Sequence, residues 1–64
     1  MNNRVREIRE KLGISQEELA ERSGISRTTI SDIECGKKIV IKTTTLIQIA
    51  DALGFKVSDL FFRD

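Results

Sequence analysis

Ser15-Gln16-Glu17-Glu18-Leu19-Ala20-Glu21-Arg22-Ser23-Gly24-Ile25-Ser26-Arg27-Thr28-Thr29-Ile30-Ser31-Asp32-Ile33-Glu34 reads as two short helices joined by a tight turn. Ser15 with Glu18 three residues on fits a capping box, the hydroxyl accepting from the third helical amide while the carboxylate reaches back. Leu19 and Ala20 supply the buried side until Gly24, where the chain must take the left-handed conformation that glycine adopts most cheaply. Ser26 caps the second helix, whose apolar residues are Ile30 and Ile33. Ala20 falls where the two helices cross, so a larger side chain there would push them apart, and Ile25, Ile30 and Ile33 fill the angle between them. At roughly 100° per residue, with Arg27 at zero, Ile33 lies near 240° and Ile30 near 300°, whereas Thr28, Ser31, Asp32 and Cys35 fall between about 40° and 140°. The second helix therefore has a buried side and a polar side.

Working outward, Val5, Ile8 and Leu12 recur at spacings of three and four, which predicts a helix from Asn3 or Arg4 to Leu12 with Arg6, Arg9 and Glu10 turned outward. On the other flank, Thr43 or Thr44 is expected to cap a helix whose core side is Leu46, Ile47, Ile49, Ala50 and Leu53, stopping at Gly54. Ser58-Asp59 then caps a short fifth helix holding Leu60, Phe61 and Phe62, where one of the two neighbouring phenylalanines closes the core. Ile39-Val40-Ile41 is β-branched and apolar but has no strand to pair with in one chain, so it reads as an extended connection packed on the core. The expected fold is all-α, five helices around a core of Val5, Ile8, Leu12, Leu19, Ala20, Ile25, Ile30, Ile33, Leu46, Ile49, Ala50, Leu53 and Leu60.

Sixty-four residues predict one domain over 1–64 and no separate effector domain. With no histidine, one cysteine, and neither tyrosine nor tryptophan, the chain has no means to build a zinc site, a Cys-His nucleophile or a histidine acid-base pair, which argues against an enzyme. No cofactor is implied. Cys35 has no intramolecular partner, and no stretch approaches the roughly 18 apolar residues of a membrane span or the start of a signal peptide, so a cytoplasmic location without membrane contact is expected. The formal net charge of +1 does not announce nucleic acid by itself. Its distribution is more informative, because residues 1–42 carry nine basic and seven acidic groups against two and three in residues 43–64.

Two capped helices separated by Ser23-Gly24-Ile25 are helix-turn-helix syntax. The stretch from Ser15 to Glu34 resembles the helix-turn-helix of the XRE family, the Cro and lambda-repressor-like transcription regulators. The resemblance extends to Val5-Arg6-Glu7-Ile8-Arg9 before it and, after it, to Leu46-Ile47-Gln48-Ile49-Ala50-Asp51-Ala52-Leu53-Gly54 and Val57-Ser58-Asp59-Leu60-Phe61. It implies a five-helix domain that binds double-stranded operator DNA, usually as a homodimer on a pseudo-palindromic site, with the third helix in the major groove.

Carried over by position, the resemblance implies that Arg27, Thr28 and Asp32 face the bases. Arg27 can grip guanine O6 and N7, Thr28 can offer its hydroxyl or place its methyl against thymine, and Asp32 either accepts from cytosine N4 or is a neutral or exclusionary bystander. Gln16 resembles the family glutamine that bonds a phosphate and braces the first recognition residue. Lys37 and Lys38 match positions that touch the DNA backbone, and Ser26, Thr29, Arg9 and Lys42 are further phosphate candidates. The Lys38–Lys42 connection replaces a polar loop of the family with β-branched residues, so Ile39, Val40 and Ile41 are the expected dimer interface, pairing with their own copy, with Phe62 as a second apolar candidate. Cys35 reads either as a small residue at a helix end or as a redox sensor. A DNA-binding repressor is the leading reading. The alternative is a protein-interaction module of the same fold, such as an antitoxin or an anti-repressor partner, favoured by the near-neutral charge and the apolar Ile39, Ile41 and Phe62.

Overall fold

A computed structural model describes residues 2–37 and 40–62. Five helices run in order as α1 (Val5–Lys11), α2 (Gln16–Ser23), α3 (Arg27–Glu34), α4 (Thr43–Leu53) and α5 (Val57–Leu60). Two-residue strands at the ends, β1 (Asn2–Asn3) and β2 (Phe61–Phe62), pair antiparallel with Asn3 opposite Phe61. The fold is all-α apart from this short pair. None of the described helices is long and apolar enough to cross a membrane.

The serine N-caps of α2 and α3 are where their sequences place them, but the capping box expected at α2 does not close: the Glu18 carboxylate pairs with Arg22 one turn on instead of reaching back. Ser15 Oγ accepts from the Glu18 amide at 3.0 Å and Ser26 Oγ from the Thr29 amide at 3.2 Å. Between the two helices Gly24 sits at φ 72°, and its amide donates to the Ala20 carbonyl. Because Ser26 satisfies an otherwise unpaired amide at the start of α3, Ser26→Ala is expected to cost about 1 kcal/mol, or roughly 4–8 °C in Tm for a domain of this size. A thermal melt superposing on that of the wild type would show that the cap carries no stability.

Three boundaries differ from expectation. Helix α1 ends at Lys11, Leu12 is 49% exposed, and the left-handed turn at Gly13 carries the chain round so that Ile14 takes the buried place. Helix α4 begins after Lys42 and not after a capping threonine, and Ile47 is 43% exposed on its outer side. Helix α5 starts at Val57, where the Asp59 carboxylate accepts from the Lys56 amide at 3.1 Å, and it stops at Leu60. Phe61 and Phe62 are extended instead of helical, since the N-terminal segment offers them a ladder: Phe61 is buried and closes the core, and the Phe62 side chain lies outside the described residues.

The core is Val5, Ile14, Leu19, Ile30, Ile33, Ile49, Ala50, Leu53, Leu60 and Phe61, with Ile8, Ala20, Ile25, Ile41 and Leu46 packed at its margin. Helix α2 is central, packing on both α3 and α4. The N-terminal segment is tied to both α5 and α3. The Arg4 amide donates to the Leu60 carbonyl at 2.8 Å, and the Asn3 side-chain amide donates to the Ile33 carbonyl at 3.1 Å, which occupies an acceptor in the last turn of α3.

Candidate nucleic-acid interface

Helix α3 presents its start to solvent and its back to the core. Arg27 and Thr28 are exposed, Thr29, Ser31 and Asp32 are half-buried, and Ile30 and Ile33 are 0% and 1% exposed. The helical spacing dictates this division, because the apolar residues at about 240° and 300° dock on α2 and leave the opposite side free. Of the three expected base readers, Arg27 and Thr28 stand in the open, and Asp32 lies one turn further along at the edge of the same side.

Arg27 is held before any ligand arrives. Its Nη1 donates to Glu17 Oε1 at 3.0 Å, an ion pair joining the first residue of α3 to the first turn of α2, with both side chains largely exposed. Gln16, beside Glu17 at the start of α2, is half-buried, and its Nε2 donates to Glu34 Oε1 at 3.1 Å. Ser26 and Thr29 are linked hydroxyl to hydroxyl at 2.8 Å, with the Ser26 oxygen also serving as the cap. Thr29 lines, with Val40, Ile41, Lys42 and Thr45, an open cleft of about 320 Å³ between α3 and the start of α4. Two of the expected phosphate candidates, Thr29 and Lys42, thus share one depression, and Lys37 is exposed just past the end of α3. Lys38 lies outside the described residues.

Arg9 does not turn outward. Its side chain is 11% exposed and grips the 2% exposed Glu34 carboxylate through two bonds, Nε to Oε2 at 2.8 Å and Nη2 to Oε1 at 3.1 Å, while Nη1 donates to the Ile14 carbonyl at 2.9 Å. The Glu34 hydrogen bond raises the Arg9 pKa above its ordinary value, against the opposing effect of burial. The spacing holds the reason: Arg9 is four residues after Val5, on the same face of α1 as a core residue, and Glu34, at about 340° on the α3 wheel, borders buried Ile30. Two charges at the margin of the core, one on each helix, were the signal by which this pair could have been found.

Among the expected dimer residues, Val40 is 85% exposed and does not pack on its own core, whereas Ile41 is half-buried against it. Ile39 lies outside the described residues. Phe55, 38% exposed, adds an apolar side chain after α4. Cys35 is exposed, with a free thiol.

Residues 5–60 match the helix-turn-helix family. The chain is 37% identical over 64 residues to YgzD, an HTH-type transcriptional regulator of Bacillus subtilis, covering all of this chain and 96% of that one. It is 43% identical over 68 residues to an HTH-type transcriptional regulator of Methanothermobacter thermautotrophicus, covering all of this chain and 93% of the relative. In three dimensions it resembles the restriction-modification controller protein C.AhdI from Aeromonas hydrophila, with a TM-score of 0.84 at 34% identity, over 91% of this chain and 86% of that one.

Proposed function

Because the chain belongs to the XRE-type helix-turn-helix family of DNA-binding transcriptional regulators, we propose that it is a cytoplasmic repressor that acts by binding and not by catalysis, a homodimer reading a pseudo-palindromic operator. Each copy lays α3 in the major groove, where Arg27 and Thr28 address bases and Asp32 sets what is tolerated at a third position. Gln16, Ser26, Thr29, Lys37 and Lys38 line the flanking phosphates. Arg9 drops out of this contact set, since its guanidinium is committed to Glu34 and Ile14.

The observation that carries the reading is the open start of α3, with Arg27 and Thr28 exposed between the N-terminal turn of α2 and the cleft holding Thr29 and Lys42. The size of one copy supports the dimeric reading. The domain measures 27 × 20 × 19 Å, too short to span two successive major grooves about 34 Å apart. The exposure of Val40 supports the Ile39–Ile41 segment as the surface that meets a second copy; Phe62 is the secondary contact of this proposal.

Selection of bound sequences from random duplex DNA tests the reading, and a palindromic consensus is the expected result. Sedimentation with and without that duplex tests the dimer. A monomer in both states, or a dimer indifferent to Val40→Lys, overturns the assigned interface. On the selected site, Lys37→Ala is expected to weaken all sequences alike and to lower the salt slope by about 1, the release of roughly one counterion. An unchanged slope would remove Lys37 from the backbone contacts.

A further inference from the structure

We infer that Glu34 is a positioning residue for DNA binding: from the interior it sets the orientation of the Gln16 amide that the proposed interface presents to the phosphate backbone, and Arg9 holds it in place to do so. The inference rests on the DNA reading above and adds a residue that never reaches the DNA.

A primary amide has two unlike ends, an acceptor oxygen and a nitrogen with two donor hydrogens, and a half-turn about its last bond exchanges them. The ionised Glu34 carboxylate only accepts, so it selects the nitrogen end of Gln16, 3.1 Å away, and repels the oxygen. With one N–H spent on Glu34, Gln16 keeps its second N–H and its carbonyl oxygen for groups outside. The N–H suits a phosphate oxygen, and the carbonyl oxygen suits a cation such as the Arg27 guanidinium.

The carboxylate cannot swing away from this task. Glu34 is 2% exposed and takes two bonds from Arg9, which is itself tied to the Ile14 carbonyl at 2.9 Å. One chain of bonds therefore runs from α1 through the last residue of α3 to the first residue of α2. An unanchored glutamine would have to lose its rotamer freedom on meeting DNA, whereas this one has lost it on folding.

Two measurements test the inference. In the free wild-type protein, the Gln16 side-chain amide protons are expected to exchange more slowly with water than those of Gln48, which is exposed on α4 and serves as an internal reference. Equal exchange at the two glutamines overturns it. The second is a double-mutant cycle on the selected duplex, using Arg9→Met/Glu34→Leu to remove the ion pair while filling its space. Gln16→Ala is expected to weaken wild-type binding about tenfold, the loss of a hydrogen bond to a charged group, but to weaken the apolar-pair background by no more than about twofold. Equal penalties in the two backgrounds overturn the positioning role while leaving the DNA reading intact. Failure of the wild type to bind any duplex overturns both. Should the apolar pair not fold, the exchange measurement on the wild type decides alone.

Discussion

Arg9→Ala is expected to destabilise the domain by about 3–5 kcal/mol, because it strands the Glu34 carboxylate in the interior without its countercharge. Glu34 is 2% exposed, and after the substitution it retains, among the described residues, one neutral donor, Gln16 Nε2. A chain of 64 residues has roughly 3–10 kcal/mol of stability in total, so the variant should be substantially unfolded near physiological temperature. Glu34→Ala should behave similarly, since it leaves the Arg9 guanidinium half-buried with Ile14 O as its remaining neutral acceptor among the bonds described. Replacing both partners, as Arg9→Met/Glu34→Leu, should recover most of the loss, because neither charge then has to be taken out of water. Urea denaturation followed by circular dichroism measures all four proteins. A single variant within about 1 kcal/mol of the wild type would mean that the pair is solvated and contributes as a surface ion pair does.

Arg27→Ala is expected to cost about 1–3 kcal/mol of operator affinity per half-site, roughly five- to 150-fold, and to relax the preference at one base pair. A homodimer would lose the contact twice. The position accounts for the size of the effect: Arg27 opens α3, stands exposed, and among the described residues is anchored by an ion pair with Glu17 in which both partners are more than half exposed. Such a pair contributes at most about 1 kcal/mol, so a guanine edge can take the guanidinium from it at small cost while the arginine waits in an ordered position. Glu17→Gln should accordingly shift affinity by no more than about fivefold. Titration of labelled duplexes, matched and substituted at each base pair, reads both quantities. Uniform weakening at every position would make Arg27 a phosphate contact, and unchanged binding would remove it from the interface.

Much of this was legible in the chain before folding. Ser15, Ser26, Gly24 and the isoleucines at Ile30 and Ile33 act through local rules, a cap, a left-handed turn and a helical period, and each is found where those rules put it. The polar start of α3 was legible for the same reason, since burying Ile30 and Ile33 leaves Arg27 and Thr28 nowhere to go but outward. Local rules fail where a residue's partner is distant in the chain. Phe61 and Phe62 left the fifth helix because Asn2–Asn3, at the opposite end, offers them a ladder. Leu12 lost its core place to Ile14 because the turn at Gly13 decides which of the two points inward, and that depends on what α1 packs against.

Arg9 marks the division most sharply. Periodicity allowed a charge on the margin of α1, and solvation alone would have sent it to water. Glu34, 25 residues away, makes its burial tolerable by supplying two hydrogen bonds and an opposite charge. Amphipathic period, caps and glycine stops determined the helices, their order and the outward face of α3, because those depend on neighbours within one turn. The buried ion pair, its hold on Gln16, and the tie from Asn3 to the end of α3 were decided only by tertiary packing, because their energies arise between segments that no local rule connects.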